Sequence, residues 1–212
     1  MRILLATNNA HKRDELRSIF PDHDILTPAE MGIAFDVEET GETFLANAIL
    51  KAEALRVHLA EARAEGKHAE VAIIADDSGL CVDALGGAPG IYSARFGSPD
   101  GGKTELAASA RNQLLIAALE AAKTRTAHFV CSMVALLEND RIIVAQESWM
   151  GEISEAPSAG TGGFGYDPVF FVPGLGKTAA DLSPEEKNRF SHRGRASRVL
   201  AAALDEAASL PR

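Results

Sequence analysis

Residues 186–193, Glu-Lys-Asn-Arg-Phe-Ser-His-Arg, place four side chains that carry or can take positive charge, Lys187, Arg189, His192 and Arg193, within seven residues. Such a cluster suits a polyanion, because ammonium, imidazolium and guanidinium groups donate charge-assisted hydrogen bonds to phosphate oxygens. Upstream of it stand Phe164, Gly165, Tyr166 and Asp167. The Phe164 ring could stack on a nucleobase while Asp167 reads its edge; packing of the loop into a core, with the aspartate capping a turn, accounts for the same residues. Near the N-terminus, Thr7, Asn8, Asn9 and Lys12 supply amide, backbone N–H and ammonium donors that can share triphosphate oxygens, without the Gly-Lys-Ser/Thr ending of a glycine-rich phosphate loop. Turn-capping asparagines and a solvated lysine are the plainer reading of that segment. Asp76 and Asp77, read as the end of a strand turning at Ser78 and Gly79, could hold Mg2+, which takes carboxylate, water and phosphate oxygens together. An Asx turn explains Asp-Asp-Ser-Gly equally. Glu42 either opposes a helix dipole or reaches the same metal if two lobes close. Asn47 and Lys51, four apart, share a helix face, where Lys51 can face a ligand or stay wet. His192 could donate to a base carbonyl or a phosphate, or satisfy its polar neighbours.

A formal net charge of -9 and a pI near 5.2 argue against broad binding to nucleic acid or an anionic membrane, which needs an extended basic face. A small phosphorylated ligand needs only a local basic patch. With 212 residues and 46% hydrophobic composition, the chain can bury a substantial core as one domain or as two intimate lobes. Two cysteines, Cys81 and Cys131, form neither a disulfide framework nor a close metal-ligand pair. There is no leader-like start and no long apolar span, so the expectation is a cytoplasmic protein.

These residues must be held by elements the periodicity predicts. Residues 3–7 read as a buried strand leading into a turn and amphipathic helix over 8–20, and residues 41–66 as a long helix with Thr43 as a possible N-cap. Residues 71–76 read as a strand ending at Asp-Asp-Ser-Gly-Leu. A Gly/Pro-rich connection over 86–102 then leads to a helix over 105–122. Residues 126–140 and 141–153 read as an antiparallel pair joined around Glu138, Asn139 and Asp140, residues 184–190 as a short helix opened by Pro184, and residues 197–210 as a terminal helix. Without a repeat or a composition break, this order predicts an α/β protein: a central mixed, twisted sheet flanked by helices, its two closely packed lobes making a single domain over 1–212 with the active-site cleft between them.

Thr-Asn-Asn-Ala-His-Lys (7–12), Glu-Thr-Phe-Leu-Ala-Asn-Ala-Ile-Leu-Lys-Ala (42–52), the segment 76–97, Gly-Gly-Phe-Gly-Tyr-Asp-Pro-Val-Phe-Phe (162–171) and residues 186–193 occur together in this order. The set resembles the inosine triphosphate pyrophosphatase family, especially its bacterial members. The resemblance implies a homodimer that hydrolyses noncanonical purine nucleoside triphosphates (ITP, dITP, XTP) to monophosphate and pyrophosphate. It implies that Thr7, Asn8, Asn9, Ala10, His11 and Lys12 bind phosphate, that Lys51 holds the triphosphate, and that Glu42 and Asp77 bind Mg2+. Asp77 would also be the catalytic base and Ser78 a substrate contact. Phe164, Gly165, Tyr166 and Asp167 would recognise the base, with Lys187, His192 and Arg193 completing the nucleotide contacts. Two other readings are a noncatalytic nucleotide sensor and a Maf-like pyrophosphatase of modified pyrimidine nucleotides, although the Ser-Pro-Arg-Arg opening typical of the latter is absent. A protein-interaction scaffold using the acidic stretch 36–42 leaves the acids and the basic cluster without a common task.

Overall fold

The computed structural model describes residues 1–64, 71–100, 104–137 and 141–209. Contacts divide the chain into two compact units, Met1–Asp77 with Cys131–Glu147 and Arg193–Arg212 (unit 1), and Ser78–Val130 with Ser148–His192 (unit 2).

In unit 1, β1 (Arg2–Leu5) lies between β2 (Asp24–Leu26) and the first half of β3 (Ala72–Val82), parallel to both, with Ile3 opposite Ile25 and Ala72. Parallel strands covered on both faces read as unbroken apolar runs, which is why Ile-Leu-Leu and Ala-Ile-Ile carry no polar alternation. The period of two sorts their side chains. Ile3, Leu5 and Ile74 join Cys131 and Met133, Leu16 and Phe20 at α1 (Ala10–Ile19), and Leu200 and Leu204 on α5 (His192–Ser209). Leu4, Ile73 and Ala75 face the other way, onto Ala48, Ala52, Leu55 and Leu59 of α2 (Phe44–Ala64). The small residues on that helix face allow close approach to the sheet, and truncating fully buried Leu55 to Ala would cost about 2–5 kcal/mol. Thr43 Oγ1 accepts the Ala46 N–H at 3.0 Å and so caps α2 as expected; residues 65 and 66 of the helix read from sequence lie outside the described residues.

Unit 2 packs Leu115 and Leu119 at α3 (Ala108–Ala118) on Leu80, Val82, Phe129, Trp149 and Phe170. Its last strands, β6 (Phe170–Val172) and β7 (Lys177–Thr178), are antiparallel, with Phe171 opposite Glu152 and Thr178. Gly151 has no room for a side chain: a Cβ there would lie 2.6 Å from both the Phe170 ring and the Phe171 carbonyl oxygen. The short α4 (Pro184–Phe190) has Pro184 in its first turn, with Ser183 and Glu186 forming a reciprocal capping box.

The strands form one seven-stranded mixed sheet in the order β2-β1-β3-β4-β5-β6-β7, where β4 is Thr126–Leu136 and β5 is Ile142–Ile153. The pairs flanking β4 and β5 run antiparallel: Leu137 N–H donates to Arg141 O in unit 1, and Ile153 N–H donates to Arg125 O in unit 2. The joining residues Glu138, Asn139 and Asp140 lie outside the described residues. No described helix is long and apolar enough to cross a membrane.

Two sequence expectations are corrected. β3 does not stop at Asp-Asp-Ser-Gly-Leu but runs through it to Val82, because sheet pairing overrides the turn preference of Ser and Gly. The terminal helix begins at His192, not at residue 197, because buried partners hold His192 and Arg193 inside its first turn.

Candidate active site

The turn after β1 spends some of its polar groups on itself. Asn9 Oδ1 caps α1 by accepting the Lys12 N–H at 3.2 Å, Thr7 Oγ1 accepts the Asn9 N–H at 3.1 Å, and Asn8 Nδ2 donates to the Phe35 carbonyl at 2.7 Å. Capping thus coexists with an exposed run of Asn8, Asn9, Ala10 and His11 at the positive end of a helix dipole, a setting that favours an anion. Lys12 folds back so that its Nζ lies 3.0 Å from Asp76 Oδ2.

Because β3 continues as a strand, its period of two separates the two aspartates. Asp76 Oδ2 takes Lys12 and also Arg193, at 3.3 Å from Nη2 and 3.4 Å from Nε. Burial alone would raise the Asp76 carboxyl, but the Lys12 and Arg193 cations outweigh it and hold the group well below the usual carboxylate range. Asp77 belongs to another set. Its Oδ1 faces Lys51 Nζ at 3.3 Å, and its Oδ2 accepts from Asn47 Nδ2 at 3.2 Å. Here burial wins over Lys51 and Lys12, with Glu39 adding repulsion, and the Asp77 carboxyl is pushed above its ordinary value. Burial opposes the Lys51 charge too, yet Asp77, Asp76 and Glu39 together raise its pKa, so it stays an ammonium. The adjacent acids therefore serve different partners: Asp76 is a buried counter-ion to Lys12 and Arg193, and Asp77 a buried carboxylate between Lys51 and Asn47.

Glu39 is an acid that sequence reasoning did not single out. Lys51 Nζ lies 2.9 Å from Glu39 Oε1, so one ammonium joins Glu39 to Asp77, whereas Glu42, the expected partner, is exposed ahead of α2. Asn47 anchors the same segment by accepting the Gly41 N–H at 2.7 Å, and a Cβ on Gly41 would stand 2.6 Å from Asn47 Oδ1. Only the spacing of Asn47 and Lys51 signalled this set; Glu39, one of several acids over 36–42, carried no distinguishing signal. Two carboxylates drawn to one cation fit Mg2+, which needs one or two such ligands with water and phosphate oxygens. Among the described residues no group of three or more His, Cys, Asp or Glu side chains forms a richer metal site.

The side chains of the expected cationic cluster have different partners. Arg193 belongs to unit 1, is 2% exposed, and is held by Asp76 and by Glu15 at 2.7 Å; despite burial these carboxylates raise its pKa further. Arg189 is exposed, its guanidinium 5.2 Å from the Phe190 ring. Lys187 and His192 stay in unit 2 with the aromatic loop. Lys187 Nζ lies 2.7 Å from Asp167 Oδ2 and 4.8 Å from the Phe164 ring centroid, and Asp167 Oδ2 also accepts the Phe164 N–H at 2.7 Å. Phe164 and Gly165 are half-buried at this loop. Tyr166 sits in the core instead of offering its ring, with its hydroxyl donating to the Ser93 carbonyl at 2.9 Å. His192 stacks on Phe129, centroids 4.7 Å apart and planes 8° from parallel. Ser78 follows Asp77 on β3 and is half-buried. Unit 1 thus gathers groups suited to a phosphate chain, and unit 2 an aromatic ring, a carboxylate and an ammonium suited to a heterocycle. Peptide bonds at Asp77-Ser78 and His192-Arg193 join the two sets.

Known proteins share this arrangement of sequence and fold. The chain is 49% identical over 196 residues to the dITP/XTP pyrophosphatase of Treponema denticola, covering 92% of this chain and 94% of that one. It is 46% identical over 210 residues to the dITP/XTP pyrophosphatase of Escherichia coli K12, with 96% and 98% covered. A HAM1 protein from Coxiella burnetii superposes with a TM-score of 0.82 at 37% identity over 97% of this chain and 99% of that one. The Staphylococcus aureus Ham1 protein does so at 0.79 and 40%, with the same coverage. The Ham1 family model matches residues 3–203, and the chain belongs to that family, as its ordered motifs suggested.

Proposed function

We propose that this chain hydrolyses deaminated purine nucleoside triphosphates, ITP, dITP and XTP, to the monophosphate and pyrophosphate, and so keeps such bases out of nucleic acids. The observation that carries the reading is Asp77, a buried carboxylate displaced toward basicity, with one oxygen on Lys51 and the other on Asn47. The chain's likeness to the dITP/XTP pyrophosphatases of Treponema denticola and Escherichia coli supports it. Water attacks the α-phosphorus, the bond from that phosphorus to the bridging oxygen breaks, and pyrophosphate leaves. Asp77 orients the water and takes its proton. Lys51 and the α1 turn from Thr7 to Lys12 offset charge on the phosphate chain, and Lys12 is held ready by Asp76. Glu39 and Asp77 would hold Mg2+, which when bound neutralises phosphate charge and acidifies water. Glu39 replaces Glu42 in this role because it shares the Lys51 ammonium with Asp77.

At the base, Phe164 supplies a stacking face, and Lys187 or a loop N–H donates to the 6-oxo group that hypoxanthine and xanthine present and adenine lacks. Guanine shares that oxo group, so its rejection falls on the 2-amino position; each polar group left unpaired there costs roughly 1–3 kcal/mol. Ribose and deoxyribose substrates should turn over alike. The working protein would be a cytoplasmic homodimer.

The test is pyrophosphate release from ITP, dITP, XTP, GTP, ATP and modified pyrimidine triphosphates, with Mg2+ present or chelated. Selective Mg2+-dependent release from ITP, dITP and XTP is expected. Nucleotide binding without release would establish a sensor instead, and preference for modified pyrimidines a Maf-like specificity.

A further inference from the structure

The Phe164–Asp167 loop is tied down from α3. In the second turn of α3, Asn112, only 3% exposed, donates its Nδ2 to the Gly165 carbonyl at 3.1 Å, across 53 residues of chain. Its Oδ1 is buried and makes no hydrogen bond among the described residues. The preceding Arg111 is buried as well, donating Nη1 to the Ala94 carbonyl at 2.8 Å and the Leu106 carbonyl at 2.6 Å, with its guanidinium 5.9 Å from the Tyr166 ring centroid. The Tyr166 hydroxyl in turn reaches Ser93 O, and Ser93 Oγ donates to Gly90 O at 2.6 Å while accepting the Leu80 N–H at 2.8 Å. Two polar side chains thus occupy a helix face that Leu115 and Leu119 otherwise make apolar, and each carries one unsatisfied atom, Arg111 Nε and Asn112 Oδ1. Packing alone favours apolar residues there, and departures from that rule concentrate at functional sites. What the arrangement fixes is Gly165, whose φ of +64 lets the chain turn between Phe164 and Tyr166. That turn aims the Phe164 N–H at Asp167 Oδ2, the oxygen that also holds Lys187.

We infer that Asn112 is a positioning residue for base selection, fixing through Gly165 the loop that carries Phe164 and Asp167. The inference rests on the proposed reading of that loop as the base site. Asn112→Asp keeps the shape but loses the donor and sets a carboxylate against a carbonyl; Asn112→Leu removes the donor and the unsatisfied atom together. Each is expected to raise KM for dITP about tenfold, and to lower the dITP to dGTP ratio of kcat/KM by a similar factor, with kcat within about twofold, as loss of one hydrogen bond implies. Inhibition by inorganic tripolyphosphate, which has no base, should not change. Amide hydrogen exchange at Phe164 and Asp167 gives a readout independent of turnover: about tenfold faster in both variants, while the α3 amides keep the parent rate. If the parent releases no pyrophosphate from dITP, the functional reading falls while the exchange data still decide the positioning role. Parent-like loop exchange in a folded variant overturns the inference, as does an unchanged dITP to dGTP ratio in an active one. Should both variants fail to fold, Tyr166→Phe removes the Ser93 anchor of the same bracket and must loosen the same amides.

Discussion

Asp76→Asn and Asp77→Asn, one position apart, should fail in opposite ways. Lys12 and Arg193 reach the same Asp76 oxygen at 3.0 and 3.3 Å, so their charges lie within about 6.3 Å of each other. At an effective dielectric near 20, each attraction to Asp76 is worth about 5 kcal/mol gross, and the bare cations would repel by about 3 kcal/mol. Some of this is recovered, since Arg193 keeps Glu15 at 2.7 Å and the Lys12 side chain is 14% exposed and can turn toward water. The net cost of Asp76→Asn should therefore be about 3 kcal/mol, the lower end for breaking a buried pair, or a fall in Tm of roughly 6–12 °C for a chain of this size. Asp77→Asn removes a charge that burial already disfavours and keeps an acceptor for Asn47. Its Tm should stay within about 2 °C of the parent while turnover falls at least about 100-fold. Thermal melts beside pyrophosphate release would test the pair. An Asp76→Asn melt within about 2 °C of the parent refutes the counter-ion reasoning, and near-normal turnover of Asp77→Asn refutes the assignment of the base.

Glu39→Gln should raise the Mg2+ concentration for half-maximal activity about tenfold, whereas Glu42→Gln should leave it within about twofold; a metal titration of both separates the acids. Gly163→Ala should cost about 1–3 kcal/mol and raise the nucleotide KM, because φ is +70 there and a Cβ would collide with the Asp167 carboxylate; melts and steady-state kinetics read both. Glu30, hydrogen-bonded by Arg17, has its carboxyl lowered from 4.5 to about 2, so its contribution is complete above the unfolded value and disappears as pH falls toward 2. The pair is partly exposed, so Glu30→Gln should cost no more than about 1 kcal/mol at pH 7, and denaturant titrations should show that deficit shrinking below pH 4.5.

The sequence disclosed what depends on local pattern and concealed what depends on which neighbours a residue finds. The apolar runs at residues 3–5 and 72–75 announced buried strands, and Pro184 announced a helix start, because a run of apolar side chains and the fixed φ of proline act within a few residues. Asp-Asp-Ser-Gly reads as a turn in any single-sequence scheme; only the pairing of β3 keeps it extended, and that extension alone sends Asp76 and Asp77 to different partners. The same dependence hid the start of α5. His-Arg-Gly-Arg has no helical stripe, yet His192 finds Phe129 and Arg193 finds Asp76 and Glu15, partners far away in sequence.

Charge clustering in sequence left the partner of each cation open, and the geometry gives the reason. Of the three permanent cations near the C-terminal helices, Arg189 is exposed and Arg193 is a buried counter-ion, while Lys187 is paired with Asp167 and set over Phe164. Proximity along the chain fixes neither direction nor burial, and burial decides whether a cation must keep a carboxylate or can exchange it for a ligand. Lys51 is set apart by what it holds together: its ammonium lies between Asp77 and Glu39, at 3.3 and 2.9 Å. Were Mg2+ held by those two carboxylates, as proposed, it would replace the ammonium and release Lys51 to the phosphate chain.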